Sequence, residues 1–223
     1  MSKKLLIQAL SKFFSGMAIT ALLLFVPAGT LKYRNGWLFM VILFVPMLIA
    51  GLIMIRHNPE LLEKRLNAKE QQKEQKTVVL LSGIMFLAAF ISAGLCCRLG
   101  IFLLPNWIVY AATVLFLTAY LMYAEVLREN EYLSRTIEVQ ENQTVIDTGL
   151  YGIVRHPMYT STLFLFLSMG LVLGSLISFL ILLCYIPIII KRIKNEEKVL
   201  TEGLEGYKAY KEKVKYRLVP YIW

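Results

Sequence analysis

The fold is decided by residues 163–190, which read LFLFLSMGLVLGSLISFLILLCYIPIII and carry no charged side chain. About 20 apolar residues are enough for a helix to cross the hydrocarbon core of a bilayer. This stretch is longer, so it can form either one long tilted helix or two short helices folded back as a hairpin. Gly170 and the Gly174-Ser175 pair offer a place for a bend, because glycine adopts backbone conformations that other residues avoid.

The basic residues around this stretch favour the hairpin. With a cytoplasmic amino terminus and four earlier spans, a hairpin leaves the tail in the cytoplasm. The cytoplasmic segments then hold 21 of the 24 Lys and Arg residues, including the nine of the tail. A single crossing would place the nine basic residues of the tail outside, against the tendency of basic segments to stay in the cytoplasm. The hairpin also places Arg155-His156-Pro157 and Glu196-Glu197 on one side of the membrane.

Earlier apolar blocks predict the four other spans. Hydrophobic residues make up 57% of the 223 residues, and the mean hydropathy is +0.61. The predicted fold is therefore all-α and polytopic: four spans, a carboxyl-terminal hairpin and a cytoplasmic tail helix. The spans are predicted at residues 13–31, 37–55, 78–97 and 107–127, and the hairpin at 163–190.

We expect two regions: residues 1–127 hold the amino-terminal spans, and residues 128–223 hold the hairpin and its polar flanks. Both termini are expected in the cytoplasm. The net charge of +9 is spread over short segments between the apolar blocks. Such segments face anionic lipid, so membrane lipids are expected as partners and nucleic acid is not. The sequence indicates no obligatory protein partner.

The connector at residues 56–77 contains a helix start. Asn58 is a good N-cap residue, Pro59 suits the first helical position, and Glu60 places an acid in the first turn. The leucines that follow share one face. The segment is either a helix along the membrane surface or an ordinary solvated connector.

The polar cluster before the hairpin runs from residue 149 to residue 159. Pro157 disfavours a helical backbone at His156. Non-helical backbone at a membrane face is tolerated where it lines a cavity, so the side chains of Tyr151, His156 and Tyr159 could face a ligand. The alternative is a turn that starts a helix and carries interfacial anchors.

The polar cluster after the hairpin contains Arg192 and Glu196, which share a face if the segment is helical. Together they could hold a ligand that carries both an amine and a carboxylate, or they could form only an interfacial salt bridge. Further on, Tyr207, Tyr210 and Val214 recur at helical spacing. They predict a tail helix that packs back onto the protein and is ended by Pro220.

Taken together, these motifs closely resemble the isoprenylcysteine carboxyl methyltransferase family. The resemblance covers about residues 137–220. It is carried by Gly149-Leu-Tyr151, Arg155-His-Pro-Met-Tyr159, the apolar hairpin, Arg192 four residues before Glu196-Glu197, Leu200, Tyr207-Lys-Ala-Tyr210 and Arg217-Leu-Val-Pro220. The amino-terminal spans are similar to bacterial members more loosely, through residues 33–37 and 58–65, which implies a bacterial plasma membrane.

The resemblance implies a membrane enzyme that binds S-adenosylmethionine in a pocket capped from the cytoplasm and takes a lipophilic acceptor from the bilayer. Arg192 matches the arginine that contacts the substrate. The residues that match the cofactor contacts of the family are Gln143, Thr144, Val145, Ile146, Tyr151, His156, Pro157, Met158, Tyr159 and Glu196. The chemistry requires no metal ion, and the sequence suggests no site for one.

The acceptor and two other functions stay open. The acceptor could be a prenylated cysteine, another lipid-borne carboxylate, a phospholipid amine or a small thiol. Sterol-type reductases have a similar hairpin but bind NADPH there, and a non-catalytic membrane protein could carry these motifs as interfacial anchors. The Glu196-Glu197 pair suits the amino end of a methionine moiety better than a dinucleotide phosphate, so the sequence favours the methyltransferase.

Overall fold

The computed structural model describes residues 3–66, 73–134, 137 and 139–223, and helices dominate these residues. A short 3₁₀ turn covers Gly149–Gly152. The α-helices are α1 (Lys3–Ala28), α2 (Arg34–His57), α3 (Pro59–Leu66), α4 (Lys73–Leu99), α5 (Asn106–Glu129), α6 (Pro157–Val172), α7 (Leu176–Leu182), α8 (Tyr185–Gly203) and α9 (Tyr207–Lys213).

Five segments are long and apolar enough to cross a membrane: Leu5–Ala28, Arg34–His57, Gln75–Leu99, Asn106–Glu129 and Leu176–Gly203. The first four correspond to the predicted spans. The fifth is the return limb of the hairpin, and its partner α6 is a shorter apolar helix. The predicted all-α, polytopic fold is confirmed, and the protein is an integral membrane protein.

Helix α1 begins ten residues before the predicted start of the first span at residue 13. Leu5, Ile7 and Leu10 continue the apolar pattern toward the amino terminus, so the helix extends through Lys12 without a break. The predicted boundary was therefore wrong, although the span itself was predicted correctly.

The connector contains the predicted helix. The side chain of Asn58 accepts a hydrogen bond from the backbone N–H of Leu61 at 3.0 Å, which caps the start of α3. Leu61 and Leu62 are buried, so α3 packs its apolar face on the protein. Residues 67–72 of the predicted connector lie outside the described residues.

The apolar stretch doubles back at the predicted bend. Gly174 adopts a φ of +71°, in the left-handed region that favours glycine. A Cβ atom at Gly170 would lie 2.5 Å from the backbone nitrogen of Phe179, so only glycine allows this close approach of α6 and α7. The turn is also held by the α4–α5 connection, since Leu104 donates to the carbonyl of Gly174 at 2.9 Å. The hairpin is thus confirmed.

The carboxyl-terminal tail packs against the segment that precedes α6. Tyr207, Tyr210 and Val214 are buried, as predicted, but α9 ends at Lys213 and does not reach Pro220. Beyond α9 the chain runs alongside the residues before α6: the backbone N–H of Arg155 donates to the carbonyl of Tyr216 at 2.9 Å. A helical tail could not offer its carbonyl groups in this way, because it would use them internally.

Candidate functional site

The buried face of α8 ends in a carboxylate. Tyr185, Ile189, Ile193 and Glu197 are buried and follow one another at four-residue intervals. This spacing keeps them on one side of a helix. Glu196, the preceding residue, is turned away from this stripe and keeps 22% of its side chain exposed. The two adjacent carboxylates therefore meet different surroundings.

Glu197 is surrounded by three basic side chains. Its Oε1 accepts from Nε of Arg155 at 2.7 Å and lies 3.3 Å from Nε2 of His156, while Oε2 accepts from Nε of Arg217 at 2.9 Å. The side chains of Arg155 and Glu197 are each only 5% exposed. We call these four residues the Glu197 cluster. It joins the segment before α6, the helix α8 and the tail.

Arg155 ties the cluster to the tail by two further bonds. Its Nη1 donates to the carbonyl of Val214 at 2.7 Å and to that of Lys215 at 3.0 Å. A buried guanidinium needs such a set of partners, because an unsatisfied charge is costly to remove from water. Arg155 and Glu197 thus stabilise the fold at this point.

Glu196 has a different set of contacts. Its carboxylate accepts a hydrogen bond from the hydroxyl of Tyr159, and Nε of Arg192 donates to the same hydroxyl at 2.9 Å. Nδ1 of His156 lies 3.9 Å from Glu196. Arg192 also donates to the side-chain oxygen of Gln75 on α4 at 3.1 Å. Arg192 and Glu196 therefore both contact the Tyr159 hydroxyl, in the wall of a cavity.

This cavity, the polar cavity, brings together nearly all the site residues that the sequence predicts. Pro157 does not line it: it is the buried first residue of α6, and the backbone of His156 before it is non-helical, as expected. The predicted residues that line the polar cavity are Gln143, Thr144, Val145, Ile146, Tyr151, His156, Met158, Tyr159, Arg192 and Glu196.

Two tyrosines fix the wall of the polar cavity. The hydroxyl of Tyr210 donates to the carbonyl of Tyr151 at 2.7 Å, and the hydroxyl of Tyr151 accepts from the side chain of Asn130 at 2.8 Å. Burial raises the pKa of Tyr151 well above its ordinary value, so this hydroxyl stays neutral. Tyr207 and the leucines at 200 and 204 add apolar surface to the wall.

A second cavity of about 390 Å³ adjoins the polar cavity. The two share four lining residues, among them Tyr159 and Arg192, so they meet at the start of α6. Val79 on its wall is 50% exposed on a membrane-spanning part of α4. The residues that line the second cavity are Arg65, Val78, Val79, Ser82, Gly83, Phe86, Tyr123, Ser134, Met158, Tyr159, Thr162, Phe166, Tyr185, Ile189 and Arg192.

The sequence missed part of this arrangement. The sequence marks Glu197 only as a neighbour of Glu196, and it predicts no separate role in the site for Arg155 or Arg217. One signal was available: the apolar stripe of α8, read forward at four-residue intervals, arrives at Glu197 and not at Glu196. No comparable signal marks Arg65 or Gln75, which reach the site from the connector and α4.

Residues 107–202 match the model of the isoprenylcysteine carboxyl methyltransferase (ICMT) family. The matched residues begin in α5, include the hairpin and end in α8, so they contain both Glu196 and Glu197. No curated protein matches the chain. The resemblance predicted from the sequence is confirmed.

Proposed function

We propose that this protein, whose residues 107–202 belong to the isoprenylcysteine carboxyl methyltransferase family, is an integral membrane methyltransferase that uses S-adenosylmethionine and modifies a lipophilic acceptor. The observation that carries the proposal is the different environment of the two carboxylates on α8. Glu197 is engaged by three basic side chains, whereas Glu196 faces the polar cavity. A carboxylate in that position suits the ammonium group of a methionine moiety.

The rest of the polar cavity fits the same cofactor. Its walls combine polar side chains with tyrosine rings and leucines, which suits a ligand that has both charged and aromatic parts. Glu196 and His156 would hold the amino-acid end, and the segment 143–146 with Tyr151 would contact the nucleoside. Bound there, S-adenosylmethionine supplies a methyl group on a positively charged sulfur, which an acceptor takes by in-line displacement.

The second cavity suits the acceptor. It is mainly apolar, adjoins a half-exposed stretch of α4 and meets the polar cavity at Tyr159 and Arg192. An acceptor chain could enter from the bilayer and bring its reactive end to this junction. A carboxylate acceptor is ionised at neutral pH and needs no general base.

The chain's own residues then act by positioning. Arg192 would hold one oxygen of such a carboxylate while the other attacks, and Tyr159 would keep Arg192 and Glu196 in place through its hydroxyl. The apolar walls exclude water from the junction. A protein catalyses methyl transfer mainly by aligning the donor with the acceptor and by excluding water.

Ligand binding separates this proposal from a reductase and from a non-catalytic role. The purified protein in detergent is titrated with S-adenosylhomocysteine, and its thermal unfolding is followed. At 100 times the dissociation constant, the free energy of unfolding should rise by about 2.7 kcal/mol, and NADPH should have no effect. Stabilisation by NADPH would favour the reductase, and stabilisation by neither ligand would contradict any cofactor site in the polar cavity.

A further inference from the structure

The charged side chains that the structure describes in the wall of the second cavity are basic. Arg65 and Arg192 both contribute to its lining, and among the described residues that line it none is acidic. The remaining walls are largely apolar. A cavity of this kind attracts a molecule with an apolar chain and a negatively charged end.

Arg65 reaches this cavity from outside the region that matches the family. It lies near the end of α3 and is half-buried. Its Nη2 donates to the hydroxyl of Tyr123, its Nη1 donates to the carbonyl of Ser134 at 3.3 Å, and the guanidinium carbon lies 5.6 Å from the centre of the Tyr123 ring. These contacts orient the side chain toward the junction with the polar cavity, where its Nη1 lies 3.9 Å from the sulfur of Met158.

The partners that the structure describes for Arg65 are neutral. Among the described side chains, which leave out residues 1–4, 67–74, 135, 136 and 138, no carboxylate lies within ion-pair distance of it. This contrasts with Arg155, whose charge is matched by Glu197. The planar donors of a half-buried guanidinium suit a carboxylate or phosphate.

We propose that Arg65 is a second acceptor-binding residue, which selects amphiphiles with an anionic end. This inference rests on the proposed function, since it specifies the acceptor of the same site. Arg192 holds the reacting end from α8, and Arg65 adds a second positive charge from α3. An ammonium end would meet the like charge of Arg65, so an amine acceptor is disfavoured relative to a carboxylate.

The test uses three amphiphiles that share one chain: dodecanoate, dodecanamide and dodecylamine. Each is titrated into the protein in a nonionic detergent with saturating S-adenosylhomocysteine, and thermal unfolding reports binding. Wild type should bind dodecanoate more tightly than the amide, and the amide more tightly than the amine. Arg65→Gln should weaken the binding of dodecanoate about tenfold and leave that of the amide nearly unchanged, since one charge-assisted contact is lost.

Three other variants make the result specific to Arg65. Arg65→Lys keeps the charge and should retain the preference for dodecanoate. Arg65→Met keeps the packing of the aliphatic stem and should lose the preference, which provides a second reading if Arg65→Gln folds poorly. Lys64→Gln removes a positive charge from the same helix, outside both cavities, and should bind all three probes as wild type does.

The failures of the two proposals can be told apart. Equal binding of the three amphiphiles by wild type, or an unchanged preference in both Arg65→Gln and Arg65→Met, would overturn the role of Arg65. Stabilisation by S-adenosylhomocysteine alone would persist in that case and would leave the proposed function standing. If S-adenosylhomocysteine does not stabilise wild type, the proposed function itself fails.

Discussion

The Glu197 cluster and the polar cavity lie side by side, and successive residues of α8 supply a carboxylate to each. Glu197 is buried and engaged by Arg155, His156 and Arg217. Glu196 is partly exposed, and among the described residues its carboxylate contacts the Tyr159 hydroxyl and, at a longer distance, His156. The same chemical group thus holds the fold together at one position and can receive a ligand at the next.

The geometry of a helix explains this division. With 3.6 residues per turn, adjacent side chains point about 100° apart, so one can continue the buried stripe while the other faces a cavity. The two carboxylates should therefore respond differently to the same substitution. Loss of Glu197 should reduce stability, and loss of Glu196 should reduce binding.

The largest effect is expected for Glu197→Gln. The substitution leaves the buried guanidinium of Arg155 without its counter-charge, which typically costs about 3–5 kcal/mol of unfolding free energy. Thermal unfolding in detergent measures this loss, and Glu202→Gln, at an exposed position of the same helix, is the control. A variant as stable as wild type would show that the cluster does not hold the tail to the hairpin.

Arg192→Ala should change turnover and not cofactor affinity. Arg192 lies where the two cavities meet, so its loss should lower the rate of methyl transfer about 100-fold, a typical cost of removing one preorganised donor. The rate is followed with labelled S-adenosylmethionine and membrane lipid and protein fractions as acceptors. If the affinity for S-adenosylhomocysteine falls as much as the rate, Arg192 belongs to the cofactor side of the site.

Glu196→Gln should lower ligand affinity and leave stability unchanged, whereas Glu197→Gln should lower stability. We expect about a tenfold loss in affinity for S-adenosylhomocysteine, because a charged contact becomes a neutral one, while the ligand-free protein unfolds as wild type does. Calorimetric titration measures the affinity. Unchanged affinity would mean that the ammonium group of the ligand lies elsewhere.

The smallest effect is expected for the exposed ion pair between Asp147 and Lys213, whose charged atoms lie 2.6 Å apart. The hydrogen bond from Lys213 lowers the pKa of Asp147 below its ordinary value. A carboxyl group whose pKa is lowered by folding contributes its full stabilisation above the ordinary carboxyl pKa. This contribution is lost as the pH falls from there through the lowered pKa of the folded state.

Asp147→Asn should therefore remove a small, salt-sensitive and acid-sensitive part of the stability, since exposed pairs are screened by solvent. Unfolding measured at neutral and acidic pH, with and without high salt, tests this. A loss as large as that of Glu197→Gln would contradict the distinction between the exposed pair and the buried cluster.

Much of the fold could be predicted from the sequence because its signals are local. The hairpin follows from an uninterrupted apolar stretch, glycines near its middle and the positions of the basic residues. The members of the polar cavity follow from motifs near the two limbs of that hairpin. The role of Glu197 is harder to predict, because it depends on which face of α8 is buried. The adjacent Glu196 obscures that pattern.

The second cavity could not be predicted in the same way. Arg65, Phe86 and Tyr123 come from three separate helices, and only the packing of those helices places them around one space. The end of α9 was missed for a similar reason, because the carbonyl groups of the tail bond to Arg155 and His156. Both features depend on contacts between residues that are far apart in the chain.

Hydrogen exchange on the wild-type protein, with increasing S-adenosylhomocysteine, tests most directly whether both limbs of the hairpin surround one ligand. The predicted result is slower exchange in peptides covering residues 143–151 and in peptides covering residues 196–210, with the same midpoint in the titration. Protection confined to one of these segments, or found only in the amino-terminal spans, would contradict the shared site.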